Sequence, residues 1–307
     1  MSGLFRYRFP LGVLACLVAL SASAAPAKFT LTEAGGERVF DSEKSKGSYV
    51  VLHFLLKTEC PVCLRYTQEY SSKAYTIPGI VQVFIKPDTE AEIKEWSANL
   101  VPGKEPSPVI YRDPDAKLAK AFEIPDGYAF HGQTVHYPAL VLLDPAGKEV
   151  FRYVGKKNTD RFDIAKLRDK LVEIGGPEAK SANAADGVAL HGFDPVAYLN
   201  DNKAVAGDAN IESVFRGVKY RFSSVGNARA FAKSPETFVP AYGGWCALGI
   251  ANGQKFDVDP ANFKIVDGRV CLFGKSADAD ALAMWTQDEA ALKPKADAAW
   301  MGMSATK

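Results

Sequence analysis

The sequence has almost no excess of either charge. It contains 37 basic and 36 acidic residues in a chain of 307, for a net charge of +1. The composition therefore does not favour a nucleic-acid partner or an anionic membrane surface. The hydrophobic share of 47% and the charged share of 24% are typical of a globular protein, and the length indicates about two domains.

The N-terminus lacks an apolar run long enough to span a bilayer. The run LGVLACLVAL is shorter than the roughly 20 residues that a membrane helix needs. It follows a segment with Arg6 and Arg8 and precedes the small residues SASAA, which is the order of a secretory signal peptide. We predict removal of residues 1–24 and a periplasmic or secreted protein with no membrane span. The alternatives are an uncleaved anchor and a lipoprotein at Cys16.

Cysteine is scarce, and two of the five cysteines form a C-x-x-C motif in KTECPVCLR, residues 57–65. Haem attachment is excluded because Leu64, not histidine, follows the second cysteine. A structural zinc site needs four ligands, and this half of the chain has no second C-x-x-C and no H-x-x-x-H. Redox exchange fits best, because a helix N-terminus favours a thiolate and a cysteine one turn later can resolve a mixed disulfide.

The surroundings of the motif predict a strand followed by a helix. SYVVLHFLL is a continuous apolar run typical of a buried parallel strand. After Pro61, the residues Cys63, Tyr66 and Tyr70 recur at helical spacing. The rest of this half predicts a strand over 79–88, a helix over 89–100 capped by Thr89, a strand, turn and helix over 107–122, a hairpin over 137–155 and a helix over 159–176.

These segments resemble the AhpC/TSA-type redoxin branch of the thioredoxin-like superfamily over residues 28–175. The matching stretches are VVLHFLLKTECPVCLRY, YPALVLLDPAGKEVFRYVGK and NTDR. The resemblance implies an α/β thioredoxin-like domain. It also implies that Cys60 is the attacking thiol, that Cys63 is the resolving thiol, and that Pro138 is a cis proline facing the motif on the substrate side.

Departures from the family patterns narrow the chemistry to thiol–disulfide exchange. Lys57 stands where peroxiredoxins have Thr or Ser before the reactive cysteine, and no proline lies between Val50 and Cys60, so peroxidase activity is disfavoured. His53 lies in the strand where thioredoxins have a buried acid. Val62 lies between the cysteines and cannot stabilise a thiolate, which predicts a less oxidising pair than in the strong periplasmic oxidants of the superfamily. The predicted partners are protein thiols or disulfides, or a thiol protein that donates electrons.

Copper handling is the alternative function, in which the protein binds a metal and does not catalyse a reaction. Thioredoxin-fold copper chaperones bind the metal through two thiolates and one histidine, and His136 lies two residues before the proline of the hairpin. Their cysteines are usually one residue further apart. We therefore interpret His131 and His136 as loop residues, and we predict no bound metal and no cofactor.

The second half resembles an exported YHS-like domain over residues 187–303, after a small and polar linker over 176–186. The matching stretches are HGFDPVAYL, GVKYRFSSVGNARAFAKSPETFVPAYGGWCALGIA and VDGRVCLF. The resemblance implies a smaller α+β domain of unknown ligand. In the metal-linked branch three cysteines occupy the positions that here hold Ala197, Ser223 and Asn227, so metal binding is not carried over. A non-catalytic YHS binding module attached to a degenerate redoxin domain is the second alternative.

Cys246 and Cys271 lie in apolar, strand-like segments of this half. Buried free thiols, a disulfide and a two-thiolate metal site are all open, and export favours the disulfide. A disulfide would close a loop of 24 residues, worth about 3 kcal/mol in chain entropy. Asp194, Asp257 and Asp259 stand in D-P and D-V-D-P contexts that indicate turns.

Overall fold

The computed structural model describes residue 26 and residues 28–57, 61–100, 107–130, 133–185 and 187–305. In the first half the structure forms a seven-stranded mixed sheet and a separate two-stranded hairpin. In chain order the elements are β1 (Thr30–Glu33), β2 (Val39–Asp41), β3 (Val50–Phe54), α1 (Pro61–Ser72), β4 (Val81–Lys86), α2 (Glu90–Ser97), β5 (Ile110–Arg112), α3 (Lys117–Ala121), β6 (Asp126–Phe130), β7 (Gln133–His136), β8 (Ala139–Leu143), β9 (Glu149–Val154) and α4 (Ile164–Ile174).

The sheet has the order β2-β1-β5-β4-β3-β8-β9, with β3 parallel to β4 and antiparallel to β8. Every residue of β3 is buried because both faces of the sheet are covered. Val51 faces the core under α1 and α4, whereas Leu52 faces the core under α3. This alternation places His53 on the α1 side, beneath the C-x-x-C motif.

The predicted helix N-termini are largely confirmed. Thr89 caps α2 through a capping box with Glu92, in which each side chain bonds the other residue's backbone N–H. The closing helix begins later than predicted, at Ile164, because Asp163 is the residue that caps it. It ends at Gly175, whose φ of 62° is a conformation that glycine adopts without strain.

The second half is an α+β region built on a four-stranded and a two-stranded sheet. Its elements are α5 (Pro177–Ser181), β10 (Ala184–Ala185), β11 (Val188–Ala189), α6 (Pro195–Asp201), β12 (Asp208–Phe215), β13 (Val218–Phe222), α7 (Val225–Lys233), α8 (Pro235–Phe238), α9 (Ala247–Ala251), β14 (Asp259–Val266), β15 (Arg269–Phe273), α10 (Ala281–Gln287) and α11 (Glu289–Ala305). Among the described residues, no helix is both long and apolar enough to cross a bilayer.

The prediction of a linker over 176–186 is wrong in its conformation. This stretch contains helix α5 and strand β10, and Ala179 and Ala182 pack against the core of the second half. Small and polar residues are typical of a linker, but small side chains also allow close packing of a helix on a core. The two halves are in contact as well, because the Ser213 hydroxyl of β12 donates a hydrogen bond to the Tyr75 carbonyl at 3.0 Å.

Candidate functional site

Strand β3 ends at Phe54 and helix α1 begins at Pro61, so the second cysteine of the C-x-x-C motif belongs to the helix that the sequence predicts. Cys63 is in the first turn of α1 and is fully buried. The predicted attacking thiol, Cys60, lies outside the described residues, together with residues 58 and 59. The described part of the site is therefore the environment of the second cysteine.

Arg161 contacts the Cys63 thiol. Its Nη2 donates to the Cys63 Sγ at 3.0 Å, across 98 residues of sequence. Its Nη1 donates to the carbonyl oxygens of Asn158 and Asp160 at 2.8 and 2.9 Å, which fixes the guanidinium in place. A guanidinium at hydrogen-bond distance favours the thiolate over the thiol and opposes the effect of burial.

The loop that carries Arg161 is itself held by an aspartate. The Asp160 carboxylate accepts hydrogen bonds from the Tyr153 hydroxyl at 2.6 Å and from the Lys156 N–H at 2.9 Å. These bonds, the one from the Lys156 backbone first, lower the pKa of Asp160 below its ordinary value. The carboxylate is charged and anchored at neutral pH, so the turn between β9 and α4 presents Arg161 in one geometry. Arg161 lies in the NTDR stretch, but no local pattern in the sequence indicates its contact with Cys63.

A buried histidine and a tyrosine lie below the motif. The His53 Nδ1 and the Tyr66 hydroxyl are 2.9 Å apart, and the His53 ring stacks on Phe84 with centroids 4.4 Å apart. Burial lowers the pKa of His53 to about 3 and raises the pKa of Tyr66. Both side chains are therefore neutral in the ordinary pH range. His53 stands where thioredoxins have a buried acid, and because it is neutral it supplies no charge there. The charge beside Cys63 is that of Arg161.

Pro138 is buried between β7 and β8, and its carbonyl accepts a hydrogen bond from Gly155 N–H at 2.8 Å. The Tyr137–Pro138 peptide bond is trans, since no cis bond occurs in the described parts of the chain. The cis geometry implied by the resemblance is therefore not observed. The role of Pro138 on the substrate side stays a prediction.

His136 is in strand β7 and is buried, so its interpretation as a loop residue is wrong. Its Nδ1 lies 2.7 Å from the carbonyl oxygen of Tyr137, so Nδ1 carries the proton and Nε2 holds the lone pair. Burial lowers the pKa of His136. His131 lies outside the described residues. The described residues contain no group of three His, Cys, Asp or Glu side chains that could hold a metal ion.

A polar cavity adjoins the motif at the carboxyl ends of β4 and β5. Its volume is ≈ 470 Å³. Neutral His136 and charged side chains of both signs line it: Lys57, Asp88, Glu92, Arg112 and Lys120. Ligands of open α/β sheets bind outside the carboxyl ends of the strands, which makes this cavity a candidate binding site.

Cys246 and Cys271 are free and buried, so the predicted disulfide is not formed. Cys246 is paired with Leu272 through an isolated bridge and packs in the same core cluster as Leu272. Cys271 precedes Leu272 on β15 and faces the other cluster, with Phe273 and Trp285. The two thiols lie on opposite faces of one strand, because successive side chains of a strand alternate. Burial raises the pKa of Cys271 to about 12.

Ala197, Ser223 and Asn227, the three residues that the YHS resemblance singles out, meet around one carboxylate. Asp194 is fully buried and caps α6 by accepting from Val196 N–H at 2.9 Å. It also accepts from the Ala197 N–H, from the Ser223 hydroxyl at 2.7 Å and from the Asn227 Nδ2 at 2.7 Å. Asp194 thus connects the start of α6 with the end of β13 and with α7 through hydrogen bonds.

The other two aspartates of the second half differ from each other. Asp259 accepts from the Ala261 N–H two residues on, which is the turn that the sequence predicts. Asp257 instead contacts the His191 Nε2 at 2.7 Å and accepts from Asn183 Nδ2 at 2.9 Å. It therefore joins the 190–192 turn to the strand region before β14.

Comparisons with known proteins concern the first half. The model of the AhpC/TSA family matches residues 22–150. No curated protein sequence is significantly similar to the chain.

Three solved structures are each similar to about half of it. The bacterioferritin comigratory protein of Xanthomonas campestris is 17% identical, with 48% of this chain and 88% of that chain covered and a TM-score of 0.37. The exposed lipoprotein thioredoxin of Streptococcus pneumoniae is 22% identical, with 48% and 99% covered and a TM-score of 0.37. A peroxiredoxin-like protein of Aquifex aeolicus is 14% identical, with 50% and 85% covered and a TM-score of 0.41.

The family match and the sheet topology agree for the N-terminal half. Residues 22–150 hold an AhpC/TSA-type, thioredoxin-like redoxin domain. The match ends before the second α+β region, and the assignment of that region as YHS-like stays a prediction.

Proposed function

We propose that the redoxin domain is a thiol–disulfide oxidoreductase that works through the Cys60–Cys63 pair. The observation that carries this proposal is the Arg161 guanidinium, 3.0 Å from the Cys63 Sγ at the start of α1. A structural thiol in an apolar core has no need of a cation, whereas a thiol that must ionise to react does. The family match over residues 22–150 supports the same class of chemistry.

The proposed cycle transfers two electrons to a partner's disulfide. The Cys60 thiolate attacks one sulfur of that disulfide, a mixed disulfide forms, and the first partner thiolate leaves. The Cys63 thiolate then attacks the Cys60 sulfur, releases the second partner thiolate and leaves a Cys60–Cys63 disulfide. Arg161 favours the ionised Cys63 that this second attack needs. A thiol protein or glutathione restores the dithiol, and the same steps in reverse oxidise a partner.

Insulin reduction by the mature protein tests the proposal. Wild type should precipitate the insulin B chain in the presence of a thiol reductant, and Cys60→Ser should not. Cys63→Ser should accumulate mixed disulfides, because the thiol that resolves them is missing. Equal rates for wild type and Cys60→Ser would exclude the oxidoreductase function.

Copper handling is the competing function. His136 is neutral and keeps the lone pair of Nε2, which makes this nitrogen available to a metal. The thiol function predicts no stoichiometric metal after purification without chelators. If the purified protein holds one equivalent of Cu(I) and His136→Ala does not, the metal function is supported and the thiol function is rejected.

Peroxide consumption separates a redoxin of the peroxidase kind from a disulfide reductase. Lys57 and the absence of a proline between Val50 and Cys60 argue for the reductase. We expect insulin turnover to exceed peroxide turnover under the same thiol supply. The opposite order, with peroxide turnover lost in Cys63→Ser, would assign a peroxidase.

We also propose export, cleavage after residue 24 and a role in the periplasm or outside the cell. The N-terminal basic, apolar and small segments support this placement. The second half is proposed as an accessory YHS-like domain, supported by the meeting of positions 197, 223 and 227 at Asp194. N-terminal sequencing of the protein recovered from the periplasm tests the cleavage.

A further inference from the structure

A second cavity lies in the α+β half, away from the cysteines. Its volume is ≈ 220 Å³, and aromatic and aliphatic side chains from α5, the β12–β13 hairpin, the loop after α8 and helix α11 form its walls: Ala182, Phe215, Val218, Tyr220, Val239 and Trp300. We refer to it as the Trp300 cavity. Val218 and Tyr220 reach it together because they are two residues apart on β13 and share one face.

The position of Trp300 is fixed by a glycine. A Cβ placed at Gly243 would lie 2.8 Å from the Trp300 Cη2, so the indole rests directly on the backbone of this turn. Gly243 has a φ of 60°, which also favours glycine. The cavity therefore has a preformed aromatic wall.

One polar group inside the cavity has no partner. Tyr220 is 5% exposed, yet within the described residues its hydroxyl makes no hydrogen bond to the protein. Burial raises the pKa of Tyr220, so the group is a neutral hydroxyl that can donate. The group is placed to bond a ligand.

Two arginines lie at the rim of the cavity, and only one of them forms ion pairs. Arg216 is paired with Glu178 at 3.4 Å and with Glu236 at 3.3 Å. Arg269, at the start of β15, is exposed and forms no ion pair with any described residue. A planar guanidinium of this kind binds a carboxylate through two parallel hydrogen bonds.

We propose that the Trp300 cavity binds a small aromatic carboxylate, with its ring against Trp300 and Phe215, its carboxylate at Arg269 and a ring substituent accepting from the Tyr220 hydroxyl. The size agrees, because an apolar cavity of about 150 Å³ holds benzene, and ≈ 220 Å³ holds one substituted ring. Aromatic walls favour a planar ring over a branched aliphatic chain through stacked and edge-to-face contacts. The site is independent of the thiol chemistry.

Isothermal titration calorimetry on the full mature chain tests this, with benzoate, its neutral isostere benzamide, and 4-hydroxybenzoate as probes. Wild type should bind benzoate about tenfold or more tightly than benzamide, since a hydrogen bond to a charged group is worth about 1.5–3 kcal/mol. Arg269→Gln should remove this preference without removing benzamide binding. Tyr220→Phe should remove any advantage of 4-hydroxybenzoate over benzoate.

Two further variants complete the experiment. Val239→Trp fills the cavity and should abolish binding of all three probes, with circular dichroism and the melting temperature confirming that the variant is folded. Lys203→Gln removes an exposed cation that does not line the cavity, and it should bind like wild type. Equal affinity of wild type for benzoate and benzamide, binding that survives in Val239→Trp, or no binding of any probe at millimolar concentration would overturn the proposal.

Discussion

Cys63 and Cys271 are both buried, and their surroundings differ in one respect that matters for chemistry. Cys63 has the guanidinium of Arg161 at 3.0 Å, whereas Cys271 packs among Phe273, Trp285 and other apolar groups. Burial alone raises the pKa of Cys271 to about 12 and makes it inert. We therefore expect the hydrogen-bonded guanidinium, and not burial, to decide which of these two cysteines reacts.

The largest effect expected from this comparison is on turnover. Cys63→Ser should lose multiple-turnover insulin reduction, because the mixed disulfide is no longer resolved. Cys271→Ala is the matched control from the second half and should keep wild-type turnover. Loss of turnover in both variants would mean that the two thiols do not differ in the way proposed.

The histidine beneath Cys63 sharpens the comparison through pH. His53 lies below Cys63, and burial lowers its pKa to about 3 from 6.5. As the pH falls below 6.5, the unfolded chain binds a proton at His53 and the folded chain does not. The free energy of unfolding therefore decreases with falling pH. Between pH 7 and pH 5 this amounts to about 2 kcal/mol.

Urea unfolding at pH 7 and pH 5 measures this loss. His53→Gln should flatten the pH dependence, because glutamine does not titrate and can still bond the Tyr66 hydroxyl. His136→Gln should flatten the slope as well, because burial lowers the pKa of His136 too, and the double variant should have the flattest slope. An unchanged slope in His53→Gln would contradict a neutral, buried His53.

The next largest effect is expected from substitutions of Arg161, the charged neighbour of Cys63. Arg161→Met should raise the pKa of Cys63 by about one unit or more and lower the rate of the resolving step about tenfold at pH 7. Arg161→Lys should restore part of the rate, because it keeps the charge without the fork geometry. Thiolate absorbance at 240 nm against pH, in a Cys60→Ser background, follows the ionisation.

Arg65→Met is the control for that series, since Arg65 is an exposed arginine on the same helix α1. It should leave the pH profile in place. A shift of equal size in both variants would assign the effect to the net charge of the helix and not to the contact with Cys63.

The smallest effect concerns the second half. With Cys60 and Cys63 both changed to Ser, the free energy of unfolding should be the same with and without dithiothreitol, because Cys246 and Cys271 are free. A disulfide over their loop would make a difference of about 3 kcal/mol. A melting temperature that falls on reduction would restore the disulfide that the sequence suggested.

The elements of the first half could be predicted because their signals are local. The continuous apolar run of β3, the helical spacing of Cys63, Tyr66 and Tyr70, and the Thr89 capping box are all set by residues a few positions apart. The contact between Arg161 and Cys63 spans 98 residues and has no local signal. Only the resemblance of the NTDR stretch pointed to that turn.

The failures in the second half have the same origin. Small residues over 176–186 indicate a linker locally, yet a core built elsewhere in the chain holds them as α5 and β10. The disulfide was plausible from export and spacing, but the face that each cysteine occupies depends on the register of Cys246 against Leu272. A shift of one residue in the register moves each side chain of a strand to the opposite face of the sheet.

Equilibration of the mature protein across a glutathione redox series, followed by thiol trapping and peptide mapping, tests the central claim most directly. Cys60 and Cys63 should pass together from two thiols to one disulfide as a two-electron couple, within the range of about −300 to −120 mV that exchanging pairs occupy. Cys246 and Cys271 should remain thiols across the whole series. Cys60 and Cys63 that stay unlinked at every potential, or that never leave the linked state, would contradict the account.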